Sequence, residues 1–139
     1  MLGIKDVDIK ILNELPDEEL VNMCQVNKEY KRICDDQTFW RNRILFKYPE
    51  LNIDILNKFK KNRTWSQYYT HDLRKINSIN VQKTLLDGAK SGRLDWVIVA
   101  VKNGANVRHN NDQAIINASA NGHLDVVNYL VSLGAPDPR

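Results

Sequence analysis

An all-α fold is the expectation for this 139-residue chain, and three observations carry it. Apolar residues recur at helical spacing along the chain, no segment alternates apolar and polar residues as a half-buried strand does, and the C-terminal part repeats itself. The repetition is the most specific of the three. Leu85–Ala105 reads LLDGAKSGRLDWVIVAVKNGA, and thirty residues on Ile115–Ala135 reads IINASANGHLDVVNYLVSLGA. Gly92, Leu94, Asp95, Val97, Val101, Gly104 and Ala105 return as Gly122, Leu124, Asp125, Val127, Val131, Gly134 and Ala135. A fixed period of this size marks stacked supersecondary units, which offer extended binding surfaces and rarely supply catalytic clefts.

The elements follow in order. A first helix is expected over Val7–Leu15, where Ile11, Leu12 and Leu15 share a helical face. Pro16 ends it and can open the next, since proline is tolerated at a helix's first position. Asp17, Glu18 and Glu19 then meet the positive end of that helix's dipole, and Leu20, Met23 and Cys24 form its inner stripe. Asn27 suits the N-cap of a third short helix carrying Tyr30, Ile33 and Cys34, and Asp35 or Asp36 that of a fourth. In the fourth, Phe39, Trp40, Ile44 and Leu45 point inward, Trp40 as a core residue, and Pro49 stops it. A short helix near Ile53–Phe59 precedes the basic turn Lys60–Arg63. Thr64 caps a helix in which Trp65, Tyr69 (or Tyr68), Leu73 and Ile76 seal the front half against the repeats, with Asn77–Asn80 as the linker. Each repeat unit is then a helix ending near Ala89 or Ser119, a tight turn at Gly92 or Gly122, and a second helix closed by Gly104 or Gly134. The chain divides at 1–48, 49–80 and 81–139, on one continuous core.

Composition narrows the function. With 42% hydrophobic and 27% charged residues the chain reads as soluble and globular. No apolar run approaches the roughly 18 residues of a membrane span, and the charged start MLGIKDVDIK lacks a signal-peptide apolar core. Cys24 and Cys34 are too few for a secreted disulfide framework and are expected as buried thiols on neighbouring helices, which points to a reducing setting, cytosolic or nuclear. Net charge is +3, but residues 1–27 sum to −4 and residues 28–63 to +5. The basic residues of 28–63 alternate with acids as on a solvated face, so nucleic-acid binding there is a lesser alternative. HExxH, paired CxxC, phosphate-loop and GxSxG patterns are all missing. His71 and His109 have no companion at ligand spacing, and His123 follows a turn glycine where packing or a loop hydrogen bond is its expected role. No catalysis, metal or cofactor is expected.

Two resemblances sharpen this. Over Val81–Ala135 the chain resembles ankyrin repeats: Asn121-Gly122-His123-Leu124-Asp125-Val126-Val127 is close to that family's signature, and Gly104-Ala105-Asn106-Val107 matches its loop-opening phrase. Gln113-Ala114-Ile115-Ile116 replaces the usual Thr-Pro-Leu-His, and the short period resembles the arrays abundant in giant DNA viruses. Two units are fewer than the three or so an isolated array needs, so this one must lean on the helices before it. The resemblance implies target contacts at loop tips and first helices, namely Lys83, Lys90, Arg108, His109, Asn110, Asn111 and Asp112.

The front half resembles an F-box over about residues 4–45, through Leu15-Pro16-Asp17-Glu18-Glu19-Leu20, Cys24-Gln25-Val26-Asn27-Lys28, Tyr30, Ile33-Cys34 and Asp36-Gln37-Thr38-Phe39-Trp40. Ile4-Lys5-Asp6 stands where that family opens with a Leu-Pro pair. This resemblance implies docking on the Skp-type adaptor of a cullin–RING ubiquitin ligase through Ile9, Leu12, Leu15, Pro16, Leu20 and Val26. Together the two resemblances imply a viral-type substrate receptor, acting in the host cytoplasm, that holds an unidentified target protein beside the ligase. The alternative is an ankyrin-type scaffold without ligase recruitment.

Overall fold

The computed structural model describes residues 12–137, among which every regular element is helical. Residues 12–14 are helical, and the rest of the helix expected over Val7–Leu15 lies largely outside the described residues. The front cluster is α1 (Asp17–Val26), α2 (Lys28–Asp35) and α3 (Gln37–Lys47). Next come α4 (Ile53–Lys60), α5 (Trp65–His71) and a 3₁₀ turn (Leu73–Lys75). The repeat units are α6 (Val81–Ser91) with α7 (Leu94–Lys102), and α8 (His109–Ala120) with α9 (Leu124–Ser132).

Local chemistry sets most helix starts. Pro16 immediately precedes α1, whose first turn is the acidic run Asp17–Glu19. The Asn27 side chain accepts from the Glu29 and Tyr30 amides at 2.9 and 3.2 Å, and that of Asp36 from the Thr38 amide at 2.9 Å. Asn52 does the same for Ile55 at 2.9 Å. Thr64 and Gln67 form a reciprocal capping box. Such caps satisfy amides that a helix leaves unpaired and are worth about 1 kcal/mol each.

The helix begun at Thr64 is shorter than the apolar spacing predicts. It stops at His71, and the chain continues to Ile76 as a 3₁₀ turn. Asp72, at φ −124° and ψ −75°, breaks it because its carboxylate is drawn into a network with Arg63, Arg93 and Trp96. The linker Asn77–Asn80 is a tight turn, in which Asn77 accepts from the Ile79 amide at 2.9 Å and Asn80 donates to the Lys75 carbonyl at 2.8 Å.

One core runs through all three segments, from Leu12 and Leu20 through Trp40, Ile44, Leu56 and Leu73 to Leu85, Val97, Ile115 and Leu130. α3 packs on α5, α4 on α7, and α6 on both α7 and α8. The repeats therefore have a helical layer beneath them, formed by the helices that precede them. Arg43 departs from the reading of 28–63 as a solvated basic face, because it is fully buried. Cys24 and Cys34 are a correction too. They sit half-buried on α1 and α2 with Cα atoms 6.1 Å apart, and they form a disulfide instead of two separate thiols. The two helices form a tight hairpin at Asn27, which brings positions ten residues apart within bridging distance.

The thirty-residue period is visible atom by atom. The Arg93 amide donates to the Gly88 carbonyl and the His123 amide to that of Ala118, both at 2.9 Å. Ala105 closes on Ala100 at 3.0 Å as Ala135 closes on Leu130 at 3.1 Å. Gly92 and Gly122 take φ values of +78° and +74°, a left-handed turn that glycine adopts without steric cost. The start of α8 is less regular: Asn110, Asn111 and Asp112 are left-handed, with φ between 57° and 64°, and the right-handed helix begins at Gln113.

Candidate functional site

An apolar groove of about 370 Å³ lies between the segment at Leu12–Leu15, α1 and the start of α2, lined by Leu12, Leu15, Glu19, Asn22, Met23, Val26 and Tyr30. Glu19, Asn22, Met23 and Val26 recur at i, i+3, i+4 and i+7, so one face of α1 forms a wall. Tyr30 reaches the groove because the Asn27 cap starts α2 at that point. Leu12 is 2% exposed and closes the floor, whereas Val26 at the rim is 81% exposed.

The structure places the expected contact residues at three depths. Leu12, Leu15 and Val26 line the groove, and Pro16 is exposed beside it. Leu20 is fully buried and supports α1 from beneath. Ile9, like Ile4-Lys5-Asp6, lies outside the described residues. Met23, Glu19, Asn22 and Tyr30 were missed by reasoning from the resemblance, although the helical spacing of the first three with Val26 is readable in the sequence.

Arg43 fixes the groove's floor. Its guanidinium donates to the carbonyls of Leu12 at 3.0 Å, Asn13 at 3.2 Å and Leu15 at 2.7 Å, and to Asp17 Oδ1 at 2.8 Å. The Tyr69 hydroxyl donates to the same carboxylate, 2.7 and 2.8 Å from its oxygens, and Lys47 lies 3.5 Å away. Burial alone would raise the Asp17 carboxyl, but the hydrogen bonds from Arg43 and Tyr69 and the nearby cations outweigh it and hold it below its ordinary value. Burial, with repulsion from Arg43 and Arg74, depresses Lys47 despite Asp17.

A second network joins the front half to the repeats. Asp95, fully buried, accepts from the Tyr68 hydroxyl at 2.6 Å and from Arg93 at 2.9 and 2.7 Å. Arg93 also reaches Asp72 at 2.8 Å, and Trp96 Nε1 donates to Asp72 at 2.6 Å. The Arg93 guanidinium stacks over Trp96 at 4.2 Å and Phe59 at 4.9 Å. Burial, and the carboxylate each one faces, push the Tyr68 and Tyr69 hydroxyls far above the ordinary 10.0. A folded-state value raised in this way contributes stability that is whole below the unfolded value and is lost as pH rises above it. The urea midpoint is therefore expected to fall above about pH 10, with that fall reduced in either Tyr68→Phe or Tyr69→Phe. A midpoint flat to higher pH would refute this coupling.

The expected target-binding residues are at the surface. Lys83 and Lys90 are exposed on one face of α6, roughly 10 Å apart along its axis. Arg108, His109, Asn110 and Asn111 are exposed at the loop into α8, and Asp112 pairs with Arg108 at 2.8 Å. Gln82 and Asn106 exchange two hydrogen bonds of 3.0 Å, which brings that loop beside the start of α6 near Lys83. Lys90 stands two turns further along. Among the described residues no cluster of His, Cys, Asp and Glu could hold a metal, and no helix is long and apolar enough to cross a membrane.

The F-box domain family matches residues 9–42, the stretch that contains the groove. The chain thus carries an F-box domain at residues 9–42, within a fold that is all-helical among the described residues. Domains of this family typically bind Skp-type adaptors, and proteins that carry them are generally adaptors in ubiquitin ligase complexes and not enzymes. No curated protein and no solved structure matches the chain.

Proposed function

We propose that this protein is a substrate receptor whose groove docks on the Skp-type adaptor of a cullin–RING ubiquitin ligase and whose ankyrin-like units hold the target. The observation that carries the reading is the coincidence of the F-box match with an open apolar groove, on which Val26 is 81% exposed. Solvent-facing apolar side chains around a formed groove are what a helical partner buries, and a few such anchors supply most of the binding energy. Leu12, Leu15, Pro16 and Val26 make contact in this scheme, Met23 and Tyr30 join them, and Leu20 supports them. The target meets Lys83, Lys90 and the Arg108–Asp112 loop. The protein works by raising the target's local concentration beside the ligase. The thirty-residue units and their similarity to giant-virus arrays favour a viral receptor acting on a host ligase. Nucleic-acid binding through 28–63 has less support, because Arg43 is internal and Arg63 is engaged with Asp72 and backbone carbonyls.

Calorimetric titration with the adaptor tests the reading. Val26→Asp and Met23→Asp are the variants to use, since charge at the buried Leu20 would unfold the chain. Each is expected to keep the wild-type circular dichroism and to weaken binding about thirtyfold or more. Absence of binding by the folded wild-type chain would leave the ankyrin-type scaffold in its place.

A further inference from the structure

The chain turns back at Asn27, and the groove spans the two arms so formed: Met23 and Val26 stand on α1 and Tyr30 on α2. Leu20, fully buried, anchors α1, but α2 has no buried residue of its own. Nor can an eight-residue helix hold itself, since isolated helices shorter than roughly 12–15 residues are marginal in water. Four things keep α2 in place. They are the Asn27 cap at its start, the partial burial of Tyr30, Ile33 and Cys34, a 2.6 Å bond from Trp40 Nε1 to the Cys34 carbonyl, and the Cys24–Cys34 bridge. Val26 and Tyr30 both lie inside the loop that the bridge closes.

The bridge is also reachable. Val21, Cys24 and Gln25 recur at i, i+3 and i+4, on the face of α1 opposite the groove wall. There a second open cavity, of about 400 Å³, is lined by both cysteines, with Lys31, Asp35 and Trp40 among their neighbours. Each cysteine is half-buried, so its sulfur is held in place and still open to that cavity. A small thiol can therefore approach the bridge from behind, on the side away from the groove.

We propose that the Cys24–Cys34 bridge is a thiol–disulfide exchange site for a dithiol reductant, and that its opening loosens α2 and disables the groove. A thiolate of the reductant attacks one sulfur of the bridge and forms a mixed disulfide. The bond between the cysteines breaks with its electron pair on the other sulfur, which takes a proton. The reductant's second thiol then displaces the mixed disulfide, so the dithiol leaves as its own disulfide and Cys24 and Cys34 are both thiols. Two electrons and two protons pass from reductant to protein. Without the constraint of the bridge the arms are joined by packing and the Asn27 turn alone, and Tyr30 no longer holds its side of the groove beside Val26. Control of docking rests on the adaptor reading above, whereas the exchange chemistry and the loosening of α2 do not.

The test uses the purified full chain, air-oxidised and free of reductant. Alkylation with iodoacetamide, read by mass spectrometry, is expected to label neither cysteine before incubation with dithiothreitol and both after it, without denaturant. Amide hydrogen exchange in α2 is expected to accelerate about tenfold or more on reduction, with α6 to α9 unchanged. The double variant Cys24→Ala, Cys34→Ala, its fold checked by circular dichroism, is expected to exchange like the reduced chain and to ignore dithiothreitol. Titrated with the adaptor in the absence of reductant, it is expected to bind about tenfold more weakly than the oxidised wild type. Labelling of both cysteines before reduction, a bridge that opens only in urea, or equal α2 exchange in the two states would each overturn the proposal. Equal adaptor affinities of wild type and variant would overturn the control of docking. Binding by neither would refute the adaptor reading, and the exchange site would then stand or fall on labelling and hydrogen exchange.

Discussion

Replacing Arg43 with methionine is expected to destabilise the protein by about 3–5 kcal/mol, a large share of what an ordinary domain possesses. Methionine keeps much of the side-chain volume, so the loss reports the missing guanidinium more than a cavity. Three carbonyls, at Leu12, Asn13 and Leu15, lose their donor at once, and Asp17 loses its closest cation. Urea titration should show the fall in unfolding free energy, and thermal melting a drop of roughly 10 °C or more. A pH readout separates the ion pair from packing. Because the Asp17 carboxyl is held below its ordinary 3.8, its contribution is present above that value and is lost as pH falls through the depressed folded value. Without Arg43 the carboxyl titrates higher, and acid unfolding should begin at a higher pH than in the wild type. Equal acid midpoints would show that the buried guanidinium acts by shape alone. The same variant should loosen the groove's floor and weaken adaptor binding beyond what its stability loss explains.

Asp95→Ala is expected to cost about 3 kcal/mol, whereas Asp125→Ala, the same position one period later, should stay within about 0.5 kcal/mol. Both residues follow a leucine in the first turn of a second helix. Asp95 is fully buried and accepts three hydrogen bonds, so its removal strands the Tyr68 hydroxyl and leaves Arg93 with Asp72 alone. The Asp125 side chain is 43% exposed, with Lys58 at 4.0 Å. Paired chemical-denaturation curves decide the matter, and equal losses at the two sites would overturn the account. Limited proteolysis should also cut Asp95→Ala first near Asn77–Asn80, where the front half and the repeats part company.

That contrast shows what the amino-acid order could and could not convey. Caps were legible because their physics is local: Asn27, Asp36 and Thr64 each serve an amide two or three residues away. The repeat was legible because seven residues recur at one offset, whereas the α1 wall of the groove was missed, with Met23 read into the helix's inner stripe. Arg43 was hidden, since its acceptors lie 26 to 31 residues back and its neighbours look like a solvated face. The early end of α5 depended on Asp72 finding Arg93, 21 residues ahead. The pairing of Cys24 with Cys34 required the angle between two helices, which no composition rule supplies. Asp95 and Asp125 have nearly the same neighbours in sequence, and what differs is that a helical layer covers one and not the other.

The adjacent tyrosines of α5 have a consequence for how such chains can be recombined. Tyr68 bonds Asp95 in the repeats, and its neighbour Tyr69 bonds Asp17 in the F-box domain, so consecutive residues of one helix bolt opposite halves to it. A graft of this F-box domain onto another array would need to carry α5 with it, and the array would need an acid at the position of Asp95. The joint is therefore a bracket and not a tether: hydrogen bonds from one helix to both halves set the orientation between the groove and the repeats.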